Sequence, residues 1–182
     1  MRRIIVSEFI SLDGVIGAPD EWHFQFWNDD MARAKHAELF ACDALLLGRD
    51  TYQGFAAAWP TEAHLQDMKD GVLPDGEAFT YRMNSLPKYV ASRTLTEPLA
   101  WNAALLKGNV AEAVSRLKQQ QGQDILLLGS AELAQTLTDN DLIDEYRLMV
   151  HPIMVGKGKR LFKGDSALKK LKLIELKPTN TG

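Results

Sequence analysis

Small, hydroxyl-bearing and cationic residues follow three short runs of residues that are typical of buried strands. Gly48-Arg49-Asp50-Thr51 follows Ala44 to Leu47, Ser92-Arg93-Thr94 follows Lys88 to Ala91, and Gly129-Ser130-Ala131-Glu132 follows Ile125 to Leu128. Residues of these types bind anions through backbone N–H groups, hydroxyls and a guanidinium. A ligand that carries several phosphate groups accounts for all three places better than three coincidences do.

At Gly129-Ser130 a strand passes directly into a helix with Leu133 and Leu137 on its apolar stripe. The first N–H groups of a helix have no partner within it, and the helix dipole places partial positive charge behind them. The junction is therefore suited to a phosphate. The alternative is an ordinary strand–helix junction in which Ser130 only caps the helix.

Arg49 begins a second helix, in which Asp50 or Thr51 is the expected cap. Its guanidinium can bind a phosphate through two parallel hydrogen bonds, and a solvated surface salt bridge is the alternative. Ser92 and Arg93 provide an anion pocket that does not depend on a helix terminus. The chain has neither the Rossmann motif G-x-G-x-x-G after a strand nor the P-loop motif G-x-x-x-x-G-K-[ST]. The remaining interpretation is a dinucleotide bound across the strand ends of another α/β fold.

Asp13 follows the first predicted strand, Arg3 to Ile10, where a carboxylate can face a ligand crevice. Because Asp13-Gly14 is also a turn dipeptide, a purely local turn role is the alternative. The segment Glu21 to Asp30 then combines Trp22, Phe24, Phe26 and Trp27 with polar residues. These rings either wall a pocket for a flat heterocycle or close one end of the sheet as core.

The order of predicted elements is typical of an α/β domain. Helices are expected over Met31 to Cys42, after Gly48, over Val110 to Gln121 and after Ser130; strands are expected over the runs above, over Leu99 to Leu106, over Asp144 to Val150 and over Leu171 to Leu176. We predict one domain over residues 1–182, with a mixed, mostly parallel sheet, flanking helices and antiparallel C-terminal strands. The polar stretch Thr61 to Thr80 is expected to be a surface insertion.

Composition narrows the classes of function. Apolar residues make up 46% and charged residues 25% of the chain, as in soluble globular proteins, and a net charge of −3 does not favour nucleic acid. No apolar run approaches the ~20 residues that span a bilayer, and the N-terminus does not resemble a signal peptide, so we expect a cytoplasmic protein. The single Cys42 and the isolated His36 predict neither a disulfide nor a metal site.

The ordered set of motifs resembles the dihydrofolate-reductase-like superfamily, specifically the RibD C-terminal domain family. The resemblance lies in Ser11-Leu12-Asp13-Gly14, Leu47-Gly48-Arg49-Asp50-Thr51-Tyr52, Ser92-Arg93, Leu128-Gly129-Ser130-Ala131-Glu132-Leu133, and Glu145-Tyr146 through His151-Pro152 to Gly156-Lys157-Gly158. It covers nearly the whole chain and is more specific for the fold and the cofactor site than for the substrate. It implies a three-layer fold of the dihydrofolate reductase type.

The resemblance implies that the chain binds NADPH. By analogy Gly48, Arg49 and Thr51 hold phosphates, Ser92 and Arg93 take the adenosine 2′-phosphate, and Gly129, Ser130, Ala131 and Glu132 bind the pyrophosphate through backbone N–H groups. Dihydrofolate reductases have a cis Gly-Gly peptide at this turn, whereas this chain has Gly129-Ser130, so the state of that bond is left open.

The resemblance also implies reduction of a pterin or an aminopyrimidine, as in dihydrofolate reductase and 5-amino-6-(5-phosphoribosylamino)uracil reductase. Asp13 is the main candidate for orienting the substrate or relaying a proton, and Asp30 is the alternative. The expected pocket is lined by Trp22, Phe24, Trp27 and Trp59, and a homodimer is expected. Because the H-x-E and P-C-x-x-C deaminase motif is absent, the chain is not the bifunctional riboflavin enzyme.

Three hypotheses follow from these residues. The first is an NADPH-dependent reductase, the second is a protein that binds a nucleotide or heterocycle without turnover, and the third is a dimeric interaction module.

Overall fold

Strands and helices alternate along the part of the chain that the computed structural model describes, residues 1–60, 79–164 and 168–181. The strands are β1 (Ile4–Ser11), β2 (Cys42–Gly48), β3 (Lys88–Ala91), β4 (Ala103–Leu105), β5 (Asp124–Leu128) and β6 (Glu145–His151). The helices are α1 (Asp29–Phe40), α2 (Arg49–Ala58), α3 (Phe79–Ser85), α4 (Val110–Gln119) and α5 (Ala131–Asp139). Most of the predicted surface insertion, residues 61–78, lies outside these ranges.

The six strands form one sheet in the order β4-β3-β2-β5-β1-β6, and every neighbouring pair is parallel. The prediction of antiparallel C-terminal strands is therefore wrong. From β5 the chain crosses the sheet through α5 and passes over β1, so β6 enters beside β1 in the same direction, as a crossover connection requires. In the described ranges, antiparallel pairing is limited to one bridge between Val15 and Arg160.

The strand predicted over Leu171 to Leu176 is also absent. This stretch has no regular structure, and Leu171, Leu173 and Leu176 are exposed. A segment of alternating apolar and charged residues forms a strand only if a neighbouring strand is available to pair with it. In the described structure no strand pairs with this segment. Of the strand predicted over Leu99 to Leu106, only β4 pairs with the sheet.

Two apolar cores lie on the two faces of the sheet, which makes a three-layer fold and confirms the predicted class. Alternate residues of the central strands enter opposite cores: Ile4 and Val6 of β1 pack on one face, and Ile5 packs on the other. Side chains from α4 and α5 cover the first face, and side chains from α1, α2 and α3 cover the second. Strands buried on both faces read as near-continuous apolar runs, which is why the sequence predicts them well.

The topology creates a crevice between the carboxyl ends of β2 and β5. These strands are neighbours, yet α2 leaves β2 toward one face and α5 leaves β5 toward the other. In open α/β sheets, ligands bind outside the carboxyl ends of the strands at such a switch point.

Candidate active site

The N-termini of α2 and α5 meet in this crevice. A Cβ atom added to Gly48 would lie well under 3.0 Å from Cβ and Oγ of Ser130, and a Cβ added to Gly129 would lie 2.6 Å from Oγ1 of Thr51. Glycine is therefore required at both positions for the backbones to approach each other. Two helix termini this close concentrate free N–H groups and partial positive charge in one place.

Ser130 is the N-cap of α5, because its Oγ accepts a hydrogen bond from the Leu133 N–H at 3.3 Å. Gly129 and Ser130 both have positive φ, 68° and 74°, and in the described ranges the only cis peptide is Glu97–Pro98, so the Gly129–Ser130 bond is trans. Gly48 is the N-cap of α2, without a side-chain cap. The prediction that Asp50 or Thr51 caps this helix is therefore wrong.

Arg49 connects the candidate anion site at the start of α2 to the candidate site at Ser92-Arg93-Thr94. Its guanidinium donates to the Asp50 carboxylate at 2.9 Å and to the Thr94 hydroxyl at 3.3 Å. The Arg49 guanidinium and the Lys159 ammonium, 3.4 Å from the same carboxylate, lower the pKa of Asp50. Arg49 and Asp50 are both exposed, so the surface salt bridge named as the alternative exists, and the guanidinium stays at the edge of the crevice.

Arg93 is a cation without an internal partner. The Ser92 hydroxyl accepts hydrogen bonds from the N–H groups of Thr94 at 3.2 Å and Leu95 at 3.0 Å, within its own loop. Arg93 is exposed beyond the end of β3 and forms no hydrogen bond or ion pair with any described residue. Its guanidinium is therefore available to an external anion.

Glu8 is a buried carboxylate that reaches the Gly129 turn. Its Oε1 accepts a hydrogen bond from the Gly129 N–H at 2.8 Å, and only 7% of the residue is exposed. Burial raises the pKa of Glu8 to about 7, while the Lys35 charge and the Gly129 hydrogen bond oppose that rise. The Gly129 N–H is thus already engaged, which leaves the following N–H groups of α5 for a phosphate.

Lys35 and Glu38 of α1 meet Ser7 of β1 in a second buried polar cluster. The Ser7 hydroxyl donates to Glu38 Oε2 at 2.5 Å, and Lys35 Nζ donates to Ser7 Oγ and, at 3.3 Å, to Glu38 Oε2. Lys35 Nζ also lies 4.7 Å from the centroid of the Phe9 ring. The cluster places a cation beside the aromatic ring of Phe9, on the face of β1 opposite to that of Glu8.

The aromatic residues before α1 surround two histidines. Phe9 stacks on His23 with centroids 4.2 Å apart, and Trp27 meets His23 edge to face at 5.7 Å. Trp22 is buried against His151 at 5.3 Å. The Phe9 ring therefore contacts both the His23 imidazole and the Lys35 ammonium.

Both histidines of this cluster are buried. Burial is the main cause that lowers the pKa of His23 and of His151. Nδ1 of His23 and Nε2 of His151 have no hydrogen-bond partner in the described structure. Both rings therefore stay neutral at physiological pH.

The predicted pocket residues do not all come together. Trp22, Phe24 and Trp27 share the histidine cluster, with Phe24 (65% exposed) and Trp27 (41% exposed) at its outer surface. Trp59 lies at the far end of α2, where it contacts Phe55 and Phe79, and it does not join them.

The two candidate acids occupy different environments. Asp30 is on the exposed side of α1 and pairs with Arg33 at 2.6 Å. Asp13 accepts from the Ser11 hydroxyl at 2.7 Å and from the N–H groups of Val155 at 3.0 Å and Gly156 at 2.9 Å. These hydrogen bonds, with that of Ser11 first, lower the pKa of Asp13 to about 2. The geometry suits a carboxylate that positions loops and not one that transfers protons near neutral pH.

Sequence reasoning missed Glu8, Ser7, Lys35 and His151. Glu8 had a detectable signal, because a charged residue inside the apolar run of β1 must find a partner once buried. Lys35 and Glu38 had a weaker signal, their spacing of three on one helix.

In the described ranges no cluster of three or more His, Cys, Asp or Glu residues is suited to a metal ion. The described helices are all too short or too polar to cross a membrane.

Comparison with known proteins identifies related chains. The sequence model of the RibD C-terminal domain matches residues 2–182. The uncharacterized protein YyaP of Bacillus subtilis (strain 168) is 32% identical over 183 residues, which cover 100% of this chain and 91% of YyaP.

Two solved structures share the fold. A putative riboflavin biosynthesis protein from Shewanella sp. PV-4 superposes with a TM-score of 0.63 at 24% identity, covering 92% of this chain and 87% of that one. The diaminohydroxyphosphoribosylaminopyrimidine deaminase/5-amino-6-(5-phosphoribosylamino)uracil reductase of Thermotoga maritima superposes with a TM-score of 0.64 at 16% identity. In that pair the match covers 99% of this chain and 54% of the Thermotoga protein.

Proposed function

Because this chain belongs to the RibD C-terminal domain family, we propose that it is an NADPH-dependent reductase of a pterin- or aminopyrimidine-like substrate. The observation that carries the proposal is the convergence of two helix N-termini at the switch point between β2 and β5. The Thermotoga protein of the same fold is a deaminase/5-amino-6-(5-phosphoribosylamino)uracil reductase, and this supports the proposed class of substrate.

The residues at the crevice fit a dinucleotide phosphate. Backbone N–H groups of α2, from Arg49 to Thr51, and of α5, from Ser130 to Glu132, would bind the pyrophosphate. Gly48 and Gly129 would contribute by letting the N-termini of α2 and α5 lie close to each other around the ligand. The reduced nicotinamide, when bound, supplies a hydride to the substrate.

Arg93 would distinguish NADPH from NADH. It is an exposed guanidinium at the end of the strand next to β2, and no described side chain neutralises it. A guanidinium binds a phosphate through charge-assisted hydrogen bonds. The 2′-phosphate is the group that NADH lacks, so selectivity would depend on Arg93.

The substrate end would lie beyond β1, beside the histidine cluster. Phe24 and Trp27 present exposed ring faces that suit a flat heterocycle, whereas Trp22 supports the cluster from within. For Asp13 the resemblance implies orientation of the substrate or relay of a proton. Its hydrogen bonds from Ser11, Val155 and Gly156 favour a local positioning role over the relay of a proton. Asp30 and Trp59 are less suited, because neither lies in this cluster.

A titration of the purified protein with NADPH and with NADH tests the proposal, with tryptophan fluorescence as the signal. We expect NADPH to bind more tightly than NADH. Arg93→Ala is expected to weaken NADPH binding by roughly 10- to 100-fold, since a charged hydrogen bond contributes about 1.5–3 kcal/mol. NADH binding is expected to stay unchanged in this variant.

Arg116→Ala is the matched control, because Arg116 is also an exposed arginine, on α4, and its partner there is Glu112 at 3.9 Å. Absence of binding of both nucleotides by folded protein would contradict the proposal and favour a heterocycle-binding role without turnover. The homodimer stays a prediction of the family resemblance, and sedimentation of the purified chain tests it. The cytoplasmic location stays a prediction from the apolar runs and the N-terminal sequence.

A further inference from the structure

Residues 168–177 carry a group of large aliphatic side chains that the rest of the described chain does not cover. These side chains are between 67% and 87% exposed: Leu168, Leu171, Leu173, Ile174 and Leu176. Single exposed aliphatic residues are ordinary on a protein surface, but a contiguous group of this size marks an interaction site. We name residues 171–176 the aliphatic segment.

The main chain of the aliphatic segment is extended and has no hydrogen-bond partner. The chain neither turns nor bends between residues 168 and 179, and none of these residues has a positive φ. Among the described residues, no hydrogen bond reaches a backbone N–H or C=O group of residues 171–176. In an extended chain successive side chains point to opposite sides, so the exposure of both Leu173 and Ile174 leaves both sides uncovered.

Both ends of this stretch are fixed to the body of the protein. Before the segment, the Lys169 ammonium lies 2.5 Å from the Asp141 carboxylate, just after α5. After it, the side-chain amide of Asn28, the N-cap of α1, donates to the hydroxyl of Thr181 at 2.6 Å. The aliphatic segment is therefore held in place as an open strand edge, which is a template for pairing with another strand.

We propose that the aliphatic segment forms an antiparallel two-stranded ribbon with the same segment of a second copy of this chain. A two-fold axis through the middle of the segment makes antiparallel neighbours of two identical strands. The ribbon would give the unpaired backbone groups their hydrogen bonds and would bring the aliphatic side chains of the two copies into contact. This inference does not depend on the proposed function.

The sequence of the segment is complementary to itself in one register. With the axis between positions 173 and 174, aliphatic residues face aliphatic residues and opposite charges face each other. The facing pairs are Leu171 with Leu176, Lys172 with Glu175, and Leu173 with Ile174. A shift of one or two positions in either direction places Lys172 or Glu175 opposite an aliphatic residue instead.

The charges around this register agree with a second copy as the partner. Facing residues of opposite charge stabilise an antiparallel pair, and the two-fold axis supplies the Lys172–Glu175 pair twice. Beyond the segment Lys170 would face Lys177, but the Lys177 ammonium is 3.1 Å from the Glu175 carboxylate of its own chain. The like charges at the two ends are therefore partly neutralised.

Sedimentation velocity of the full chain over a series of concentrations measures the dissociation constant of the dimer. Lys172→Glu places two carboxylates opposite each other in both symmetry-related pairs, and we expect it to raise this constant by about 10-fold. We expect Glu175→Lys to raise it by a similar factor. The double variant K172E/E175K restores opposite charges, and we expect it to dimerise as the wild type does.

Lys157→Glu is the matched control, because Lys157 is an exposed lysine outside the segment and has no ion pair with a described residue. It changes the net charge of the chain as Lys172→Glu does, and we expect it to leave the dissociation constant unchanged. A general charge effect would instead make Lys172→Glu dimerise more tightly, because the lysine-rich stretch would repel its copy less.

The double variant L173S/I174S removes the aliphatic contact at the centre of the ribbon. We expect it to raise the dissociation constant by at least about 100-fold, since four aliphatic side chains are lost from the interface. Both positions are exposed in the single chain. The urea unfolding midpoint of dilute, monomeric protein is therefore expected to stay unchanged, which separates lost association from lost folding.

A wild-type chain that stays monomeric at every concentration would overturn the proposal. A dimer that L173S/I174S does not weaken would also overturn it, because association would then use another surface. The same conclusion would follow if Lys172→Glu left the dimer unchanged or strengthened it. The titration with NADPH is a separate measurement, so absence of NADPH binding would contradict the proposed reductase and leave the ribbon untouched.

Discussion

Gly48→Ala tests whether the two helix N-termini approach as closely as the structure shows. The new Cβ would lie well under 3.0 Å from the Ser130 side chain. Overpacking of this kind costs about 1–3 kcal/mol, and reduced entropy of the unfolded chain offsets about 0.4–1 kcal/mol. The φ of Gly48 is −78°, so the cost arises from contact and not from backbone strain. We expect a net loss of about 1–2 kcal/mol in the free energy of unfolding.

Ser130→Gly should remove most of this cost, because it deletes the atoms that the new methyl group meets. The substitution also suits the backbone, since Ser130 has φ of 74°, and exchanging a serine cap for glycine costs only about a few tenths of a kcal/mol. In the Ser130→Gly background we expect Gly48→Ala to be nearly neutral. The two changes should therefore show a coupling energy of about 1–2 kcal/mol.

Urea unfolding of the wild type, both single variants and the double variant measures this coupling. Gly54→Ala is a control on the same helix, because a Cβ there meets no described atom within 4 Å apart from the backbone of its own helix. That control is expected to gain about 0.5–1 kcal/mol, as alanine does over glycine in a helix interior. If Gly48→Ala costs the same in both backgrounds, or stabilises as Gly54→Ala does, the close approach of the termini is refuted. Weaker NADPH binding by Gly48→Ala alone would further connect the contact to the crevice.

Three further predictions concern ionisable groups, and each is measured by urea unfolding midpoints across pH. Asp13→Asn should destabilise the protein at neutral pH, because the amide cannot replace the carboxylate that accepts from Val155 and Gly156. The difference in stability between wild type and variant should shrink as pH falls from 3.8, the usual pKa of Asp, to about 2, the pKa of Asp13 in the folded protein. Burial lowers the pKa of His23, so wild-type stability should fall as pH drops below 6.5, and His23→Phe should reduce that slope. Burial lowers the pKa of Lys88 to about 8, so stability should rise between pH 8 and 10.5, and Lys88→Met should abolish the rise.

The strand ends that carry the candidate anion sites could be located from the sequence because their signals are local. A glycine directly after a buried strand and a serine at the start of the next helix are neighbours in the sequence. They are also neighbours in the fold, so a local sequence pattern is enough to find them. The capping role of Ser130, whose Oγ accepts from the Leu133 N–H at 3.3 Å, is confirmed for this reason. The predicted cofactor contacts of Arg93 stay a prediction, with an exposed, unpaired guanidinium in their favour.

The direction of β6 could not be predicted in the same way. The alternation in Glu145–His151 predicts a strand, but an edge strand of either direction has that pattern. The direction depends on where the preceding crossover returns to the sheet, which is a property of the whole topology.

The sequence by itself determined the α/β class, the strand ends that carry the candidate anion-binding residues and the cap of α5, because hydrogen-bond demands and apolar burial act over neighbouring residues. Only the tertiary structure decided that Glu8 meets the Gly129 turn, 121 positions away, and that Lys35 meets Ser7. It also decided that Trp59 lies apart from Trp22 and Trp27. A buried polar or aromatic side chain must find partners, but the crossovers of the chain select which partners lie within reach.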